Sequence, residues 1–202
     1  FLLNNWILLG MLFAVLWGTL FPVVSEVVTG SKITVGPPFF NRINIPIGLV
    51  LLFLTGAGPL FAWRRTSSES LRRSFVVPVA VAVLAAPILW WLGSDDLYAV
   101  VSLSLCVFVA ASIALEFHRG MGARHRSTGE SYAFAGLRLL QKNRRRYGGY
   151  IVHVSIILLF VGFTGKAFTV ERELVLGSGE TGQVRDYEVT FEGLATREDP
   201  EK

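Results

Sequence analysis

Five stretches of this sequence are long and apolar enough to cross a bilayer as helices: approximately residues 4–24, 46–63, 75–92, 97–117 and 147–168. Hydrocarbon offers no partner to backbone N–H and C=O groups, so runs of this length must satisfy them internally, as a helix does. The predicted fold is therefore mainly α, a polytopic transmembrane helical bundle with about five spans in this chain. Composition agrees, since 52% of the residues are hydrophobic and 17% charged, against about 25% charged in soluble domains.

Proline and glycine mark the expected breaks. Pro22 falls near the end of the first span, and Ser25 to Ile45 reads as a connecting loop containing Lys32-Ile-Thr-Val-Gly-Pro-Pro-Phe-Phe-Asn41. The second span is short and interrupted by Gly56-Ala-Gly-Pro59, which predicts a bend. Pro78 and Pro87 lie in the third, and Gly93-Ser-Asp-Asp96 makes a tight turn into the fourth. A long basic segment, His118 to Arg146, precedes the fifth. Within it, residues 131–146 read either as an amphipathic helix on the cytoplasmic membrane surface or as a plain stop signal that fixes topology.

The net charge of +4 does not point to nucleic acid, because the basic residues cluster where topology would put them. Arg64, Arg65, Arg72 and Arg73 occupy one loop, and Arg119, Arg124, Arg126, Arg138, Lys142, Arg144, Arg145 and Arg146 a second. Ser25–Ile45 holds only Lys32 and Arg42. The positive-inside rule makes the two basic loops cytoplasmic and places everything after Phe168 outside. Trp6 and Trp63 then fall near the inner interface and Trp90-Trp91 near the outer one. From residue 169 to 202 the pattern alternates with period two around Gly177-Ser-Gly-Glu-Thr-Gly182, as in a β-hairpin, so this part reads as the start of a periplasmic β-rich module. Phe1 opens directly in apolar sequence, with neither a positively charged leader nor a small-residue cleavage site, so the chain is read as a piece of a longer protein or as one with an unresolved start.

Chemistry-bearing residues are few. Cys106 cannot pair within the chain and reads as buried packing, and no Cys-x-x-Cys-His occurs. His118 and His125 sit among arginines and are poor metal-ligand candidates. His153 differs. It lies about 9 Å along the last span from Tyr147 at about 1.5 Å per residue, too deep for its short side chain to reach water easily. Gly149, four residues earlier, shares its face and leaves room for something flat beside the imidazole. A hydrogen-bonding neighbour, a proton path and a metal each suit such a ring.

Several motifs, in order along the chain, resemble one family. Asn4-Asn5 opens a span, followed by Lys32–Asn41, the Gly58 to Trp63 stretch, Tyr147-Gly-Gly-Tyr-Ile-Val-His153 and Thr169-Val-Glu-Arg-Glu-Leu174. Together they resemble the C-terminal half of CcmF, the haem lyase subunit family of the bacterial cytochrome c maturation system. The resemblance implies a multi-pass inner-membrane protein that helps join haem to apocytochrome c on the periplasmic side. Its implied partners are a haem chaperone, apocytochrome c and a thiol-reducing subunit, beside membrane lipid. It also implies a b-type haem held within the membrane by two histidines. Carried to this sequence, one is His153, and the second is expected upstream of Phe1, together with the remaining family histidines and a tryptophan-rich loop.

Two other classes remain open on the residues alone. A transporter would line several spans with polar groups, whereas Glu26, Asp95, Asp96 and Glu116 are read here as lying at span ends. A membrane scaffold that anchors an outer β module would need no cofactor.

Overall fold

The structure, a computed structural model, describes residues 2–61, 68–92, 96–169 and 172–194. Trp63, Arg64, Arg65, the Gly93–Asp95 part of the tight turn, Val170, Glu171 and the chain after Leu194 lie outside the described residues. Two compact units are present, Phe1–Ala167 and Phe168–Lys202.

In the first unit the helices run α1 Leu2–Thr29, α2 Pro37–Ala57, α3 Ser68–Trp91, α4 Leu97–Thr128, α5 Tyr132–Lys142 and α6 Arg144–Gly165. Five of them, α1 to α4 and α6, are long and apolar enough to cross a membrane. The chain is therefore a multi-pass membrane bundle, as its apolar runs predict.

The helix ends follow local chemistry, and two of them move the expected boundaries. α1 continues through Pro22 to Gly30, whose φ of 71° ends it in a left-handed cap. Ser25 Oγ donates to the Pro22 carbonyl at 2.9 Å and accepts the Ile33 N–H at 3.0 Å, folding the following residues back on the helix. α2 then begins at Pro37, well inside the segment read as a loop. Gly36 is its extended N-cap and prolines fill its first turn, where a missing N–H costs nothing. Pro46, expected to open the span, sits inside it. The Phe39 and Phe40 rings of this first turn pack where a Cβ on Gly18 of α1 would otherwise lie, at 2.8 Å and 2.7 Å. The Gly36–Asn41 motif thus builds the α1–α2 contact rather than an open outer loop.

α4 is the centre of the bundle and packs against α2, α3 and α6. Asp96 caps its start by accepting the Tyr98 N–H at 2.7 Å. The expected end near Phe117 is passed: the helix runs on through Gly120 and Gly122, over which Tyr147, Leu139 and Tyr132 of α5 and α6 pack, to Gly129, a left-handed C-cap at φ 71°. Its 32 residues span about 48 Å at 1.5 Å per residue, against about 30 Å of hydrocarbon, so one end projects. α5 folds back along that end. The Tyr132 ring lies tilted against His125 at 5.7 Å between centroids, Met121 lies against Gly136, and Leu139 over Gly120. Ala135 and Leu139 are buried in this contact while Phe134 and Leu137 stay exposed. The apolar side of α5, expected to lie on the membrane surface, is therefore partly spent on α4.

The core between α2, α3 and α4 is aromatic. Phe108 stacks on Phe53 at 5.6 Å and meets Phe75 at 6.2 Å. Gly56 permits this approach, since a Cβ there would come within 2.7 Å of the Phe108 ring.

In the second unit, β1 Thr181–Val184 pairs antiparallel with β2 Tyr187–Thr190, with Thr181 opposite Thr190 and Val184 opposite Tyr187. The turn that joins the two strands is at Arg185-Asp186, Arg185 taking a φ of 53°, while the glycine-rich stretch makes a separate turn before β1 in which the Gly177 carbonyl accepts the Glu180 N–H at 2.9 Å. Gly179 and Glu180 extend the pairing to Phe191 through bonds of 2.7 Å and 3.0 Å. Leu174 packs on Gly182, filling the space a side chain there would need.

Candidate functional site

α6 is registered on α4 by three contacts along its length. The Tyr150 hydroxyl lies 3.4 Å from the Glu116 carboxylate, the Cys106 thiol 3.9 Å from the Ile157 carbonyl, and the Ser102 and Thr164 hydroxyls share a buried hydrogen bond of 2.7 Å. These positions recur at helical spacing and define the inward face of α6. His153 belongs to that face, half-buried between the Tyr150 and Ile157 turns.

His153 Nδ1 is buried and, among the described residues, has no hydrogen-bond partner. An unmet buried polar atom of this kind costs about 1–3 kcal/mol, and among the described residues Asn44 Oδ1 and Ser104 Oγ are in the same condition. The Tyr150 ring is its aromatic neighbour, 6.3 Å away between centroids. Gly149 has nothing within 4 Å of where a Cβ would point.

Toward the start of α6, the Glu116 carboxylate collects cations and a phenol. Arg146 pairs with it, Arg119 lies 3.6 Å away, and Arg146 Nε donates to the Tyr150 hydroxyl at 3.1 Å. Glu116 is buried, with 10% of its side chain accessible, whereas Arg146 is 61% accessible. Arg119 in turn donates to Ser74 Oγ at 2.9 Å, so the cluster ties α3, α4 and α6 together. Sequence alone read Glu116 as a span-end residue. Its position inside the longer α4 is the reason it is buried and paired.

The other histidines are engaged elsewhere. His125 Nδ1–H donates to the Glu130 carbonyl at 2.6 Å, and His118 Nδ1 lies 3.2 Å from the Tyr132 hydroxyl. Both contacts hold the α4–α5 corner. Cys106 is buried in the core, as its apolar setting predicts. Among the described residues no group of three or more His, Cys, Asp or Glu side chains is placed to hold a metal ion. A cofactor here would rest on His153 and on space, and the residues fit one side of such a site.

No family model matches the chain, and no solved structure matches it. Curated relatives do. The chain is 30% identical over 98% of its length to the cytochrome c-type biogenesis protein CcmF of Haemophilus influenzae, and 31% identical over 98% to the CcmF of Pseudomonas aeruginosa. It is 30% identical over 95% to the cytochrome c-type biogenesis protein CycK of Rhizobium meliloti. It spans 30%, 29% and 28% of the lengths of these three relatives. Over the part they share, the chain belongs to the CcmF/CycK family of cytochrome c-type biogenesis proteins.

Proposed function

We propose that this chain is a membrane portion of the machinery that matures c-type cytochromes, and that His153 is one axial ligand of a b-type haem within it. The relatives' names support the first part. The observation that carries the second is the buried, unpartnered Nδ1 of His153 beside the open face of Gly149. Bound there, haem would supply a one-electron couple tuned by its axial ligands.

The chain's own residues do the positioning. Tyr150 packs on the His153 side of α6, and its hydroxyl is held between Arg146 and Glu116, which limits rotation of the helix. The Ser102–Thr164 bond fixes the other end. Lipid-facing leucines and valines on α6 exclude water from the flank of the site. In this reading the basic helix ends face the cytoplasm, the Phe168–Lys202 unit faces the periplasm, and a haem chaperone, apocytochrome c and a thiol-reducing subunit approach from that side. The second axial histidine is the one that the CcmF resemblance implies upstream of Phe1.

The test is an absorption spectrum of the protein purified from membranes, oxidised and dithionite-reduced. A Soret band with sharp reduced α and β bands is expected, lost or shifted in His153→Ala and unchanged in His118→Ala. Wild-type intensity in His153→Ala removes His153 from the site.

A further inference from the structure

Away from His153, α1, α2 and α3 enclose an apolar groove of about 620 Å³, lined by Leu3, Phe53, Leu54, Phe61, Phe75 and one cation, Arg72. Its apolar walls are three rings, two leucines and Ala57, and no carboxylate lines it among the described residues. The Phe61 and Phe75 rings meet edge-on at 5.7 Å, so the aromatic surface is continuous from the α2 end to the α3 start. Phe61 is 55% exposed and Leu3 60%, which leaves the groove open on its outer side.

The place of Arg72 decides what kind of molecule fits. It lies in the second turn of α3, three residues before Phe75 opens the long apolar run of that helix, which puts it at the level where a hydrocarbon core gives way to headgroups. A guanidinium at that depth favours an anionic oxygen pair, and the rings below it favour a hydrocarbon chain. One molecule with both properties, already present around every span, is an anionic phospholipid. We propose that this groove is a binding site for an anionic phospholipid, with the headgroup phosphate on Arg72 and an acyl chain against Phe53, Phe61 and Phe75.

The site is independent of the haem reading, since none of its residues lies on α6 and no redox step is involved. A bound chain would fill the groove between α1 and the rest of the bundle, where α1 otherwise packs chiefly on α2.

Native mass spectrometry of the purified membrane protein tests it, with phosphatidylglycerol, phosphatidylcholine or inorganic phosphate added during delipidation. Wild type is expected to retain phosphatidylglycerol in preference to phosphatidylcholine. Arg72→Gln should weaken that retention about tenfold, the loss of one charge-assisted contact, and Arg72→Lys should largely restore it. Leu54→Trp, which fills the groove without touching the charge, should displace the lipid. Unchanged helicity in each variant separates these outcomes from misfolding. Equal retention of the two lipids, retention unaffected by Arg72→Gln, or displacement of phosphatidylglycerol by inorganic phosphate would each overturn the proposal.

Discussion

Tyr150 stands between Glu116 and His153: its hydroxyl is 3.4 Å from the carboxylate and its ring 6.3 Å from the imidazole, centroid to centroid. Glu116 is the buried member of its ion pair and Arg146 the accessible one, so the two partners should not be equally costly to remove. Without Glu116, Arg146 turns to water. Without Arg146, a mostly buried carboxylate keeps Tyr150 and a 3.6 Å contact to Arg119. Arg146→Met is therefore expected to destabilise the bundle by about 1–3 kcal/mol, and Glu116→Gln by less. Reversible unfolding in mixed micelles measures both, and the opposite order would show that Arg119 alone neutralises Glu116.

Two glycines give opposite expectations from the same kind of substitution. A Cβ on Gly56 would sit 2.7 Å from the Phe108 ring and 3.0 Å from Val109 Cγ2, both deep in the core. Gly56→Leu should cost about 1–3 kcal/mol through overpacking. Gly149 has open space, so Gly149→Leu should leave helicity and unfolding near wild type. If haem lies beside His153, the same Gly149→Leu protein should lose most of its Soret absorbance. A spectrum unaltered by Gly149→Leu would place any haem elsewhere.

The bundle was legible from apolar length alone, because a bilayer leaves helices as the answer wherever about 20 apolar residues run together. The boundaries were less so. Pro37 and Pro46 are equally plausible helix openers on sequence. What selects Pro37 is the contact of Phe39 and Phe40 with Gly18, a pairing between distant residues. The hairpin shows the same limit. Six residues rich in glycine look like the turn, yet Gly182 lies within β1 because Leu174 and Leu176 need the space over it. His153 stood out as an ionisable group deep in a span. Tyr150 and Glu116 did not, since their role depends on the register of α6 against α4.

That register has a direct test. Ser102 and Thr164 share a buried 2.7 Å bond across α4 and α6. Hydrogen bonds between membrane helices contribute about 0.6 kcal/mol on average and up to about 1.7. A double-mutant cycle of Ser102→Ala and Thr164→Val should give a coupling energy in that range. Additive effects of the two changes would mean that each hydroxyl is satisfied equally well by its own helix backbone.

The α4–α5 corner should be sensitive to acid. Glu130 accepts from Arg124 Nε at 2.8 Å and pairs with Arg138 at 2.9 Å. The hydrogen bond from Arg124, followed by the charges of Arg124 and Arg138, holds its carboxyl below the ordinary value of 4.5 despite some desolvation. A carboxyl with a depressed folded pKa binds its proton more readily once the contacts are broken. Its contribution is therefore complete above 4.5 and fades as pH falls below that value through the folded pKa. Hydrogen exchange of residues 129–133, followed from neutral pH into that window and corrected for intrinsic rates, should show the corner opening in wild type. In Glu130→Gln the corner should already be looser at neutral pH and change little on acidification, because no carboxylate is left to protonate. Parallel pH profiles in the two proteins would assign any acid opening to another group.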